Sequence, residues 1–120
     1  MAKILIIEDD AEVRALIRRL LEKEGYDVQV AENGVDGIEA FRAGSPDAVI
    51  TDLLMPRQDG IETIKEIRGI DAETKILAIS GGGPYSPKTH LKWARGVGAQ
   101  ETLAKPFAPS DLLNAVSRLV

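Results

Sequence analysis

The chain has 120 residues, of which 44% are apolar and 28% charged, so it suits one compact globular domain. Its net charge of -4, with no run of more than two Lys or Arg residues, argues against direct binding of nucleic acid. The lack of cysteine excludes disulfides and thiolate metal sites, and no apolar run approaches the roughly 20 residues that span a bilayer, so we expect a cytoplasmic protein without membrane contact.

The first quarter of the chain predicts a strand, a helix and a second strand. Residues 4–7 are a continuous, mostly β-branched run, typical of a strand that is covered on both faces. Apolar residues then recur at helical spacing: Val13, Leu16, Ile17, Leu20 and Leu21. The opposite, polar side of this helix carries Arg14, Arg18, Arg19 and Glu22. Gly25 ends the helix, and Val28 and Val30 alternate with polar residues in a less buried strand.

Two further helical stripes flank a third strand, which is predicted over residues 47–51 and ends at Asp52. The stripe before this strand comprises Val35, Ile38 and Phe41. The stripe after it comprises Ile61, Ile64 and Ile67. Both stripes have the spacing of an amphipathic helix.

The last part of the chain continues the alternation. Residues 75–80 and 102–105 predict a fourth and a fifth strand. A weak helix between them has the stripe Leu91, Ala94 and Val97. Pro109 suits the first turn of a last helix, whose stripe comprises Leu112, Val116, Leu119 and Val120. Strand–helix alternation of this kind predicts the α/β class, with a parallel sheet covered by helices on both faces.

Polar side chains stand at the carboxyl ends of four predicted strands, which meet at one edge of a parallel sheet. They are Glu8 and Asp9 after the first strand, Asp52 after the third, Ser80 after the fourth and Lys105 after the fifth. Three crowded carboxylates repel one another unless a cation holds them, and an all-oxygen set favours Mg²⁺ over Zn²⁺. The lysine and the serine hydroxyl suit a phosphate. The set predicts a phosphoryl-transfer site with a carboxylate nucleophile.

Each of these residues has another explanation when it is taken alone. Asp9 or Asp10 can be a helix N-cap, and Asp52 can be a turn residue. Ser80 can be a loop serine, and Lys105 can be a solvated surface lysine. Their joint occurrence in this order, each at the end of a strand, favours the phosphoryl-transfer site.

Together these motifs resemble the receiver domain of two-component response regulators, and the resemblance covers the whole chain. The motifs are Glu8-Asp9-Asp10, residues 51–56 with Asp59-Gly60, Ser80, and Lys105-Pro106-Phe107. The resemblance implies a single receiver domain over residues 1–120. It also implies the flavodoxin-like (βα)5 fold, a three-layer sandwich around a parallel five-stranded sheet in the order 2-1-3-4-5.

The resemblance further implies a phospho-acceptor and a metal site. Asp52 would take a phosphoryl group from a histidine kinase or a histidine phosphotransfer protein. Mg²⁺ would be held by Asp9, by Asp52 and by the backbone carbonyl of Leu54. Glu8 would act on the metal largely through water. Such a domain catalyses only its own phosphotransfer and dephosphorylation and is otherwise not an enzyme.

On the phosphate side, the resemblance implies that Lys105 pairs with the phosphate and that its peptide bond to Pro106 is cis. Ser80 would be the switch hydroxyl that moves to the phosphoryl group, next to Gly81. The surface formed by helix 4, strand 5 and helix 5 would then change for a downstream protein partner or a fused output domain. Tyr85, His90 and Trp93 fall in or near that surface.

The sequence departs from the family pattern at several positions. Thr102 stands where the family usually carries an aromatic switch residue, and Gly81 stands where Ala is common. Leu54 and Gly82 occupy the two positions that influence the hydrolytic water, and neither side chain can hold water, so we expect slow self-dephosphorylation. We also expect the glycines of residues 81–84 to become ordered around the phosphate.

Three other functions fit the same fold. A phosphate-independent interaction module would not need the complete set of crowded acids, serine and lysine. A hydrolase with an aspartyl-phosphate intermediate would carry a second acid where Leu54 stands. A flavin-binding electron carrier would have a phosphate loop after the first strand, where this chain has acids.

Overall fold

The computed structural model describes residues 2–53, 60–81 and 87–120. Within these ranges, strands and helices alternate from one end to the other. The strands are β1 (Lys3–Ile7), β2 (Asp27–Ala31), β3 (Ala48–Asp52), β4 (Lys75–Ser80) and β5 (Glu101–Ala104). The helices are α1 (Ala11–Lys23), α2 (Gly34–Gly44), α3 (Gly60–Ile70), α4 (Pro87–Gly96) and α5 (Pro109–Leu119). The predicted α/β alternation is confirmed, although β3 lies one residue later than predicted and β5 one residue earlier.

All neighbouring strands pair in parallel, and their order across the sheet is β2-β1-β3-β4-β5. This is the predicted flavodoxin-like arrangement. Because the strands run in parallel, their carboxyl ends lie at one edge of the sheet. At this edge, the last pair of the β1–β3 ladder is Ile7 with Thr51, and the last pair of the β4–β5 ladder is Ser80 with Ala104.

Apolar layers cover both faces of the sheet, because each central strand sends alternate side chains to opposite sides. In β1, Ile4 and Ile6 join one layer, and Leu5 and Ile7 join the other. The helices α1 and α5 complete the first layer with Ile17, Leu21, Leu112, Ala115, Val116 and Leu119. The helices α2, α3 and α4 complete the second layer with Ile38, Phe41, Ile64, Ile67 and Ala94. The continuous apolar runs of β1 and β3 are therefore buried on both sides, as the sequence predicts.

Among the described residues of the predicted helical stripes, Leu16 and Val120 are exposed, and Val35 belongs to neither apolar layer. Leu16 is 41% exposed and, with Phe107, lines a surface cavity instead of joining the core. Val120 is 47% exposed because it follows the last residue of α5. None of the described helices is both long enough and apolar enough to cross a bilayer.

Candidate functional site

Three carboxylates meet at the carboxyl edge of the sheet. Glu8 and Asp9 follow β1, Asp52 ends β3, and one oxygen from each lies within 4.8 Å of the others. Glu8 and Asp52 are only 1% and 5% exposed, whereas Asp9 is exposed to solvent. The structure thus brings together the acids that the sequence predicts at this edge, with two of them inside and one at the mouth.

Lys105 follows the edge strand β5, and its side chain reaches the same acids at the carboxyl edge of the sheet. Its Nζ lies 2.8 Å from Glu8 Oε1 and 3.2 Å from Asp52 Oδ2. The lysine side chain is 22% exposed, so it borders the site and keeps partial contact with solvent. The peptide bond between Lys105 and Pro106 is cis, the geometry that the family resemblance implies.

The charges of this cluster shift the pKa values of its members. Burial raises the pKa of Glu8, and the negative charge of Asp52 adds to that rise, while the hydrogen bond from Lys105 opposes it. Burial and the neighbouring Glu8 raise the pKa of Asp9. Burial alone would lower the pKa of Lys105, but its hydrogen bond to Glu8 and the charge of Asp52 outweigh burial and raise it. Lys105 therefore stays charged, but its single positive charge does not neutralise three carboxylates. The remaining negative charge favours a further cation.

The third acid after β1 has a different role. Asp10 is the N-cap of α1, because its Oδ1 accepts hydrogen bonds from the backbone N–H groups of Glu12 at 2.9 Å and Val13 at 3.2 Å. The helix-cap explanation therefore applies to Asp10, and Asp9 is left for the acidic cluster.

Ser80 ends β4 and is fully buried beside β5. Its backbone carbonyl accepts a hydrogen bond of 2.8 Å from the N–H of Lys105. The next residue, Gly81, faces the lysine stem so closely that a Cβ at this position would lie 2.5 Å from the Cβ of Lys105. This tight approach fixes where the lysine leaves β5.

The start of α3 packs closely against the backbone of Asp52 and Leu53. The N–H of Leu53 donates to the carbonyl of Ile79 at 3.0 Å, and the N–H of Gly60 donates to the carbonyl of Leu53 at 3.0 Å. A Cβ on Gly60 would collide with the backbone oxygen of Asp52, so this close packing requires glycine. Several predicted positions lie outside the described residues. They are Leu54, predicted as a metal ligand and a neighbour of the hydrolytic water, Gly82, predicted as a second neighbour of that water, and two residues of the predicted partner surface, Tyr85 and the side chain of His90.

The fold agrees with comparisons to known proteins. The protein-family model described as the response regulator receiver domain matches residues 4–117. The chain belongs to this family. The domain is similar to the chemotaxis protein CheY of Bacillus subtilis, with 38% identity over 117 residues that cover 97% of this chain and 95% of that protein.

Other relatives of this receiver domain differ in length. The response regulator MprA of Mycobacterium tuberculosis is 34% identical over 118 residues, which are 98% of this chain but 50% of MprA. The solved structure of the chemotaxis response regulator CheY4 of Vibrio cholerae is 30% identical, with a TM-score of 0.89, and the alignment covers 100% of this chain and 99% of that one. This chain is thus similar both to whole regulators and to half of a longer one.

A polar contact joins β5 to α4 at the surface of the receiver domain. Thr102 on β5 is half-buried, and its hydroxyl accepts a hydrogen bond of 3.2 Å from the Arg95 guanidinium of α4. Trp93 on the same helix is 45% exposed, which favours a surface position over the core. At the predicted switch position, this chain therefore has a threonine whose side chain is hydrogen-bonded to α4.

Sequence reasoning missed Arg14, which it assigned only to the polar side of the first helix. The Arg14 Nη1 donates a 2.9 Å hydrogen bond to the backbone carbonyl of Glu8, at the acidic edge. One signal was available in the sequence. A cation in the first turn of a helix is electrostatically unfavourable, so its presence there calls for a compensating contact.

Proposed function

We propose that this receiver domain accepts a phosphoryl group on Asp52 from a histidine kinase or a histidine phosphotransfer protein, in a Mg²⁺-dependent reaction. The proposal rests on one observation, which is the environment of the Asp52 carboxylate. Its carboxylate is nearly buried, lies within 4.8 Å of two other acids and accepts a hydrogen bond from Lys105. A carboxylate in such a place has Lys105 as a cation partner and two neighbouring acids that favour a second, divalent cation.

The donor set fits a hard divalent cation. The three groups are carboxylates, and burial together with the neighbouring acids raises the pKa values of Glu8 and Asp9, so a divalent charge between them is favourable. Asp9 and Asp52 would hold the ion, and the Leu54 carbonyl remains a predicted third ligand. When bound there, Mg²⁺ would supply positive charge that offsets the negative charge of the phosphoryl oxygens.

The residues of the chain divide the remaining work. A carboxylate oxygen of Asp52 forms the new bond to phosphorus while the bond between phosphorus and the donor's imidazole nitrogen breaks, and the electron pair leaves with the imidazole. Lys105, already 3.2 Å from Asp52, pairs with a phosphoryl oxygen. Glu8 holds the lysine in place from the other side at 2.8 Å. The hydroxyl of Ser80, at the end of β4, donates to another phosphoryl oxygen.

The output of the domain is a change in the surface formed by α4, β5 and α5. Ser80 and Lys105 sit at the ends of β4 and β5, so their movement toward a phosphate is transmitted to the helices that pack on these strands. The recipient is a downstream protein or a fused output domain. The similarity to half of MprA supports the second form, and the similarity to nearly all of CheY supports the first.

The proposal is tested by phosphorylation with acetyl phosphate, with and without Mg²⁺, followed by intact-mass spectrometry. The wild-type protein should gain about 80 Da, the mass of one phosphoryl group, only when Mg²⁺ is present. An Asp52→Asn variant should gain nothing. Asp10→Asn is the matched control, because asparagine caps a helix as well as aspartate does and the variant loses an acid from the same edge of the sheet.

Two results would count against the proposal. One is the absence of any adduct on the wild-type protein with acetyl phosphate and with phosphoramidate, which carries a phosphorus–nitrogen bond. This result would favour the phosphate-independent interaction module. The other is an adduct that persists in Asp52→Asn, which would move the acceptor to another residue.

A further inference from the structure

Arg14 holds the acidic segment on both sides of Asp9. Its side-chain Nη1 donates to the carbonyl of Glu8 at 2.9 Å, and its backbone N–H donates to the carbonyl of Asp10 at 2.9 Å. The peptide that carries Asp9 is therefore spanned by two hydrogen bonds from one residue. Asp9 is the exposed member of the acidic cluster and so the one whose position depends most on its backbone.

The sheet itself gives this segment limited support. Glu8 follows the last residue of β1, and its N–H still donates to the Ala31 carbonyl of β2 at 3.0 Å. Its carbonyl lies beyond the last pair of the β1–β3 ladder, Ile7 with Thr51, and receives the Arg14 guanidinium. Asp10 is fixed as the N-cap of α1. The side-chain bond of Arg14 thus completes the support on the Glu8 side of Asp9.

The helix dipole by itself would not favour an arginine at this place. Arg14 is in the first turn of α1, where the helix dipole disfavours a positive charge. Long side chains in a helix lean toward its N-terminus, which lets the guanidinium of this half-buried residue reach back to Glu8. The geometry is that of a support for the loop that follows β1.

We propose that Arg14 is a positioning residue that fixes the backbone around Asp9 for binding a divalent cation, an inference that rests on the proposed function. It does not touch the metal. The positive charge of Arg14 by itself repels a cation, whereas its hydrogen bond orders a ligand for that cation. The two effects have opposite signs, so the direction of the change in metal affinity distinguishes them.

The test is calorimetric titration of Mg²⁺ into the wild-type protein and the Arg14→Met variant. Groups that orient metal ligands typically change metal affinity by about 10- to 100-fold, and we expect Arg14→Met to bind Mg²⁺ about tenfold more weakly. The matched control is Arg19→Met, which removes the same charge from an exposed position of α1. Among the described residues, Arg19 makes no hydrogen bond to the acidic segment, and its loss should leave the affinity within about twofold.

A second measurement needs no metal. Amide hydrogen exchange at Asp9 and Asp10 in the presence of a chelator should be faster in Arg14→Met than in the wild type and unchanged in Arg19→Met. Arg14→Lys, which keeps a donor and a charge, should recover part of the Mg²⁺ affinity. It also serves in place of Arg14→Met if that variant does not fold.

The outcomes separate this inference from the proposed function. Equal or tighter Mg²⁺ binding by Arg14→Met, with unchanged exchange at Asp9, would overturn the positioning role while leaving phosphorylation of Asp52 intact. A wild-type protein that binds no Mg²⁺ would overturn the metal site of the proposed function, and the role of Arg14 with it.

Discussion

Lys105 places its Nζ 2.8 Å from Glu8 Oε1, although the two residues are 97 positions apart in the chain. The Glu8 side chain is 2% exposed, and that of the lysine is 22% exposed. An acid that is buried this deeply needs a partner, and in the absence of metal the lysine is the cation that the described residues supply. The stability of the metal-free protein therefore depends on this pair.

Replacing Lys105 with methionine should destabilise the metal-free protein by about 3 kcal/mol, the low end for removing one partner of a buried pair, because Glu8 and Asp52 lose their shared cation. Glu8→Gln should change the stability by less than about 1 kcal/mol, since it removes a charge that burial disfavours. Urea unfolding in the presence of a chelator measures both. A Lys105→Met variant as stable as the wild type would contradict this view of the pair.

The stability difference between Glu8→Gln and the wild type should depend on pH. Burial raises the pKa of Glu8 above its ordinary value of 4.5, so from pH 4.5 up to the raised value the folded protein binds more protons than the unfolded chain. The contribution of Glu8 to the free energy of unfolding therefore falls as the pH rises through that window. Glutamine does not ionise, so the variant should gain on the wild type with rising pH and then level off. Denaturation in metal-free buffers at a series of pH values tests this, and a difference that is flat across the window would refute it.

Gly81→Ala should destabilise the protein by about 2 kcal/mol, because the new methyl group would lie 2.5 Å from the Cβ of Lys105 and overpack the β4–β5 edge. The same displacement of the lysine should slow phosphorylation by acetyl phosphate. Gly69→Ala is the matched control: an added Cβ on this residue of α3 meets no atom within 4 Å, so the substitution should stabilise the helix by about 0.5 kcal/mol. Thermal unfolding of the two variants should shift in opposite directions. An unchanged or higher midpoint for Gly81→Ala would show that Lys105 moves away from the added methyl group with little loss of stability.

Thr102→Val should ease the change of the α4–β5–α5 surface. The substitution removes the acceptor of the Arg95 hydrogen bond that joins α4 to β5. A hydrogen bond with a net free-energy contribution of about 0.6 kcal/mol changes the ratio of two conformations about threefold. Trp93 is the single tryptophan of the chain and reports on α4. Half-maximal change of its fluorescence should need about threefold less beryllium fluoride in the variant than in the wild type.

The control for this measurement is Ser117→Ala, which removes an exposed hydroxyl that bonds within α5. It should leave the titration unchanged. If Thr102→Val required more beryllium fluoride than the wild type, the hydrogen bond to Arg95 would belong to the phosphorylated conformation instead.

Some features of the site followed from local sequence, and others did not. The acids after β1 were predictable as a group, but the sequence left open whether Asp9 or Asp10 caps α1. The cap bonds from Glu12 and Val13 decide for Asp10. Arg14 looked like a solvent-facing residue of an amphipathic helix because periodicity describes only the angle around the helix axis. Its reach back to Glu8 depends on where β1 ends relative to α1.

The sequence by itself determined the order of the elements, the parallel sheet and the side chains that stand at its carboxyl edge. It did so because apolar periodicity and the positions of glycine, proline and acids act over a few residues. Only the tertiary structure decided that Lys105 bonds to Glu8 as well as to Asp52, that Arg95 reaches Thr102 and that Leu16 lies outside the core. Those relationships depend on the distances between elements, which are set by how the helices pack on the sheet.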